Sequence, residues 1–239
     1  MKKSNLFRIE LYRFFHSISI MKYAVLIPLL LFFMSYINLV GLESELTGKT
    51  VWASMAPDFL YLLAFICTII AVYVGREFRH KTICYEIMSG HTFCEIALSK
   101  TMSCGMIIPV VMVICMMVYL LFFPIALCED FYLRIFCLLL FFLHVCSCTV
   151  LYVILCRSSV IGGVFAFIKF LVIETVLQLT LFKEGAWIKG LLVLEQWYRL
   201  LNIEESLSKE LVISILTSII AEYGILQGML LWHSKRQDM

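Results

Sequence analysis

Residues 75–100 read GREFRHKTICYEIMSGHTFCEIALSK, a polar and strongly patterned stretch set between two long apolar runs. It is too long and too punctuated for a simple turn. Arg76 to Met88 can continue as helix beyond the preceding run, and Gly90 suits the left-handed position that ends a helix. Thr92 and Glu95 then form a T-x-x-E capping box that starts the next one. The stretch predicts a helical elbow over 76–100. Its short helix, from about Thr82 to Ser89, offers Ile83, Tyr85, Glu86, Ile87 and Met88 as a mixed surface for a partner. The plainer alternative is a solvated hairpin of basic residues that only sets topology.

Outward from the elbow the chain is apolar. Of its 239 residues 62% are hydrophobic and 15% charged, with a mean hydropathy of +0.97, far from a soluble domain. About 20 helical residues cross a hydrocarbon core, and six runs qualify: about 20–41, 55–75, 101–127, 131–156, 160–180 and 211–232. The first follows some twenty mostly polar and aromatic residues, with no small-residue cleavage site after it, so it reads as a retained helix.

Lysine and arginine collect on one side of this six-helix arrangement. Lys2, Lys3, Arg8, Arg13, Lys22, Arg76, Arg79, Lys81, Lys100, Arg157, Lys235 and Arg236 all fall there, which predicts cytoplasmic termini and a cytoplasmic elbow. Leu46 to Thr50, LTGKT, then lies outside as a polar loop. It resembles the end of a phosphate-binding loop, but Glu43 stands where that loop needs its first glycine.

Before the first span, residues 5–19 place Phe7, Leu11, Phe14 and Ile18 at helical spacing, with Arg8, Arg13 and His16 as polar positions. This predicts an amphipathic helix in the membrane interface, basic groups toward lipid phosphates. The segment 181–210 carries a second stripe, Trp187, Leu191, Leu194, Tyr198 and Leu201. Lys189, Glu195 and Arg199 oppose a seventh crossing, so short helices in the outer leaflet are expected, with Trp187, Trp197 and Tyr198 at the interface. Most of the ten cysteines fall in or beside the spans without C-x-x-C spacing, and read as small buried hydrophobes rather than a metal or disulfide framework.

Ionisable groups inside a bilayer persist when paired, hydrated or functional. Lys169 in the fifth run and Glu222 in the sixth share a depth and predict an inter-helix ion pair, or a polar spot on a pathway. Glu174 is five positions from Lys169 and so does not share its face on an α-helix. His144, at mid-depth in the fourth run, is expected to make a helix–helix hydrogen bond rather than ligate a metal.

The pattern R-E-F-x-x-x-T-(I/L), then a glycine, a polar turn and a closing Ser-Lys resembles the ABC-2 type permeases, in particular the half-size permeases of bacitracin-resistance and lantibiotic-immunity exporters. Arg76, Glu77, Phe78, Thr82, Ile83, Gly90, Ser99 and Lys100 match it, while His91, Thr92 and Phe93 replace a more usual Ser-Arg pair. The resemblance implies an all-α integral membrane fold of six transmembrane helices, with an N-terminal interfacial helix, a coupling helix between helices two and three, and short outer helices between five and six. It also implies that Arg76, Glu77, Phe78, Arg79, Thr82, Ile83, Tyr85, Glu86, Met88 and Gly90 meet a separate ABC ATPase. Two such ATPases would hold ATP and Mg, and a second permease, identical or a sister chain, would complete the pathway in the bacterial plasma membrane.

On that reading the chain has no catalytic residue, metal or cofactor of its own and binds no nucleic acid. It would be the permease half of an exporter for an amphipathic compound such as an antimicrobial peptide. Two other classes stay open: a membrane scaffold or sensor needing no ATPase, and an intramembrane enzyme. For the enzyme, His144 has no histidine or carboxylate three or four residues away.

Overall fold

The structure, a computed structural model, describes residues 4–41, 47–123, 129–180, 191–202 and 209–237. Among these residues there is no strand, and the helices are α1 (Ser4–His16), α2 (Ile18–Gly41), α3 (Gly48–Ala53), α4 (Phe59–Arg79), α5 (Thr82–Met88), α6 (Phe93–Leu121), α7 (Phe131–Cys156), α8 (Ser159–Ile168), α9 (Glu174–Thr180), α10 (Val193–Leu201) and α11 (Lys209–Gln237). A 3-10 turn, Ala56–Asp58, leads into α4, and a π-helical turn, Lys169–Ile173, joins α8 to α9.

Five segments are long and apolar enough to cross a membrane: Gly48–Arg79, Phe93–Leu121, Phe131–Cys156, Ser159–Leu177 and Lys209–Trp232. The protein is therefore a helical membrane protein. The first sequence run forms α2, whose apolar stretch Val25–Gly41 is shorter than these five.

At the centre, α7 packs against α4, α6, α8 and α11. Its inner faces carry Cys146, Ser147, Cys148 and Thr149, small groups that let neighbouring backbones approach where hydrophobic driving force is absent. At the α4–α8 contact a Cβ on Gly75 would lie 2.2 Å from Ser159 Cβ. Ser159 Oγ donates to Ala71 O at 2.8 Å across the same seam. The outward sides of α8 and α11 expose Val160, Ile161, Phe165, Ile213, Ile220 and Met229, as hydrocarbon contact requires.

Cys67, Cys104, Cys137, Cys146 and Cys148 are buried as the sequence expects, whereas Cys115 and Cys156 are half-buried. The LTGKT stretch corrects the expected polar loop, because Thr47 and Thr50 form a reciprocal capping box that starts α3.

The amphipathic outer segment is rotated from its expected orientation. α10 buries Val193, Gln196, Trp197, Leu200 and Leu201, so Trp197 is a core residue and not an interfacial one. Its ring packs beside Phe59, Phe141 and Phe142, and its Nε1 donates to Ala56 O at 3.0 Å. Tyr198 stays about half exposed, and Trp187 lies outside the described residues. Arg134, buried at the start of α7, explains the docking: its guanidinium donates to Leu200 O at 2.9 Å and Asn202 O at 3.0 Å. It satisfies the open carbonyls at the C-terminus of α10.

Candidate functional site

Two charge clusters stand out, one at the basic end of the bundle and one at mid-depth. The basic end begins where α4 leaves the apolar layer. The sequence expects helix to run on from Arg76 to Met88, but it breaks at His80 and Lys81, with Lys81 left-handed at φ 56°. Thr82 Oγ1 donates to Glu77 O at 3.1 Å across this break. The break turns α5 back onto the bundle, so that Ile83 packs with Leu6 and Ile96. Gly90 takes the left-handed conformation, φ 92°, that ends the elbow, and the reciprocal Thr92–Glu95 capping box opens α6.

This geometry divides the expected docking residues. Tyr85, Ile87 and Met88 project outward, and Arg76 and Arg79 are exposed. Ile83 and Glu86 are buried, which removes both from the available surface. Phe78 packs half-buried against the core, and Glu77 is taken up by an ion pair.

That pair belongs to a network the sequence pattern does not reveal. Lys100, counted there among the topogenic charges, has no solvent exposure. Its Nζ lies 3.1 Å from Glu10 Oε1 and is bonded directly to Glu77 Oε2. Arg13 Nη1 lies 3.0 Å from the same Glu10 oxygen and also bonds Glu86 Oε1, and Tyr73 OH donates to Glu10 Oε2 at 3.2 Å. Burial lowers the Arg13 pKa, but the Glu86 hydrogen bond and the charges of Glu10, Glu86 and Glu77 raise it past the ordinary value. Arg13 therefore remains a cation.

α1 is consequently docked on the protein and not simply laid on lipid. Its buried line is Leu6, Glu10 and Phe14; of the expected stripe Phe14 holds, Phe7 and Leu11 are half-buried and the Ile18 side chain lies outside what is described, and Arg13 serves the elbow instead of a lipid phosphate. The single signal available was the i, i+4 spacing of Leu6, Glu10 and Phe14; Glu10 hides it because a carboxylate does not read as a buried position.

At mid-depth the structure brings Lys169 and Glu222 together, Nζ to Oε2 at 2.6 Å, and His144 Nε2 lies 3.0 Å from the same oxygen. Tyr152 OH donates to Glu222 Oε1 at 2.9 Å. Glu174 corrects the expectation that it faces away from Lys169, since its Oε1 lies 2.7 Å from Lys169 Nζ. The π-helical turn at 169–173 is the reason. Its i→i+5 hydrogen bonding widens the turn and places residues five apart on one side. Glu174 Oε2 then accepts from Val193 N at 2.6 Å, connecting this cluster to α10.

Donor atoms of His144, Cys148 and Glu222 lie within 4.8 Å of one another, as do those of Glu10, Glu77 and Glu86. In both places a protein cation already holds the oxygens: Lys169 at the first, Lys100 and Arg13 at the second. A metal ion would face that charge at close range. Both clusters read as internally compensated polar networks, one fixing the elbow and one fixing the bundle at mid-depth. No protein-family model matches the chain, and no curated protein matches it.

Proposed function

We propose that the chain is a permease subunit of an ATP-driven ABC-2 type exporter, with six membrane crossings, cytoplasmic termini and a separate ATPase docked on α5. The observation that carries the reading is the elbow itself: a short helix presenting Tyr85, Ile87 and Met88 outward, pinned from behind by Glu86 to α1 and by Ile83, packed on Ile96, to α6. A helix held in this way can pass a push from a partner into two other helices without first deforming. The apolar outer surfaces of α8 and α11 suit lipid and an amphipathic cargo, such as an antimicrobial peptide, entering from the bilayer. A second permease would complete the pathway.

ATP would be bound by the partner with Mg, so vanadate-sensitive hydrolysis is expected only when that partner is present. Affinity purification of the chain from its native host in mild detergent tests this. Co-purification of a protein with an ATP-binding cassette, together with vanadate-sensitive hydrolysis, is expected. Folded chain that yields neither overturns the permease reading and favours a scaffold or sensor subunit.

A further inference from the structure

A cavity of about 740 Å3 lies at the basic end between α1, the last turns of α4 and the start of α5. Its charge is unbalanced. Arg76 lines it, is exposed, and its guanidinium has no hydrogen-bond or ion-pair partner among the described residues. Arg13 also lines it, one side of its guanidinium held by Glu10 and Glu86. The acidic group in the wall, Glu77, is already bound by Lys100. His16 and His80 add ring nitrogens to the wall.

The rest of the lining is aromatic. Tyr12 stacks on His16 with ring centroids 3.8 Å apart, and Tyr73 closes the inner side. Next to the cavity α1 exposes Ile9, Tyr12 and Phe15, an apolar ledge of the kind that rests in the headgroup and acyl boundary. A free anion needs the cations alone; the cations beside an apolar ledge match a molecule that has both parts.

We propose that this cavity binds the headgroup of an anionic phospholipid, its phosphate on Arg76 and its acyl chains leaving over the exposed apolar side of α1. Arg presents a planar fork to phosphate oxygens, and basic pockets at helix ends attract anionic headgroups. The site shares Arg76, Glu77 and Thr82 with the expected ATPase contact but leaves the outward Tyr85, Ile87 and Met88 free, and a lipid there would hold α1 against α4 from the membrane side.

The test uses the full chain in neutral detergent, followed by thermal unfolding and native mass spectrometry during titration with phosphatidylglycerol, phosphatidylcholine or inorganic phosphate. Phosphatidylglycerol is expected to remain bound and to raise Tm, while the other two do not. Arg76→Gln is expected to weaken phosphatidylglycerol by about tenfold, the scale of one charge-assisted contact. Arg79→Gln, an exposed arginine outside the cavity wall, is expected to leave it unchanged. Ser17→Trp, which puts an indole into the cavity without altering charge, is expected to lower occupancy and guards against a folding defect in the arginine variant. An equal effect from phosphatidylcholine, a full effect from inorganic phosphate, equal losses in the two arginine variants, or unchanged binding in Ser17→Trp would each overturn the assignment.

Discussion

Lys100 has no solvent exposure, yet it stands between Glu10 and Glu77 with Arg13 and Glu86 close behind. Removing a buried partner leaves carboxylates facing one another, and loss of one member of such a pair costs about 3–5 kcal/mol. Lys100→Met is therefore expected to lower the unfolding midpoint strongly in detergent. The double variant Lys100→Met with Glu77→Gln is expected to recover part of the loss, because it removes one of the stranded charges. A Lys100→Met protein as stable as Arg79→Met, whose side chain is exposed, would show that the network holds nothing together. Lys169 and Glu222 were legible in the sequence because a charge at mid-bilayer must find an opposite charge at its own depth. Lys100 was not, since a lysine at the end of a span has the same one-dimensional pattern whether it enters water or the protein.

The π-helical turn at Lys169–Ile173 shows what periodicity misses at the scale of an element. Five residues advance an ideal α-helix by about 140° beyond a full turn, so Lys169 and Glu174 looked unrelated until the turn widened. A π turn behaves as one extra residue inserted into an α-helix. Deleting Val172, about half exposed, is expected to convert it to α-helix, place the glutamate four residues from Lys169 and keep both halves in register. Tm should change little, whereas the equivalent deletion of buried Val153 in α7 should prevent folding. A large loss on deleting Val172 would mean that the π turn itself is required. Gly75 sets a second element-scale constraint, since any Cβ there meets Ser159. Gly75→Val is expected to separate α4 from α8 and destabilise by about 1–3 kcal/mol or more, the usual range for overpacking; unfolding at the parent midpoint would contradict this close contact. The α10 stripe was legible as amphipathic, but its facing was not. Trp197 turns inward because Phe59, Phe141 and the Ala56 carbonyl supply its surroundings, and none lies near it in sequence.

For the whole molecule, apolar run length located five segments long enough to cross, the first two with ends shifted by several residues, and a sixth run that forms α2; the caps at Gly90 and Thr92 gave the elbow. Neither the return of α5 onto α1 nor the burial of Glu86 was readable, because both depend on a left-handed Lys81 and on groups far away in the chain. That return makes the elbow a braced surface rather than a mobile hairpin, and the proposed coupling to an ATPase rests on it. The most direct measurement is site-specific photo-crosslinking in native membranes. A photoreactive residue is placed at Tyr85 or Met88, and at Tyr132, which is 83% exposed at the far end of the bundle. The account predicts an adduct with an ATP-binding subunit, identified by its peptides, at positions 85 and 88 and none at 132. No such adduct at 85 and 88, or an equal one at 132, would contradict it.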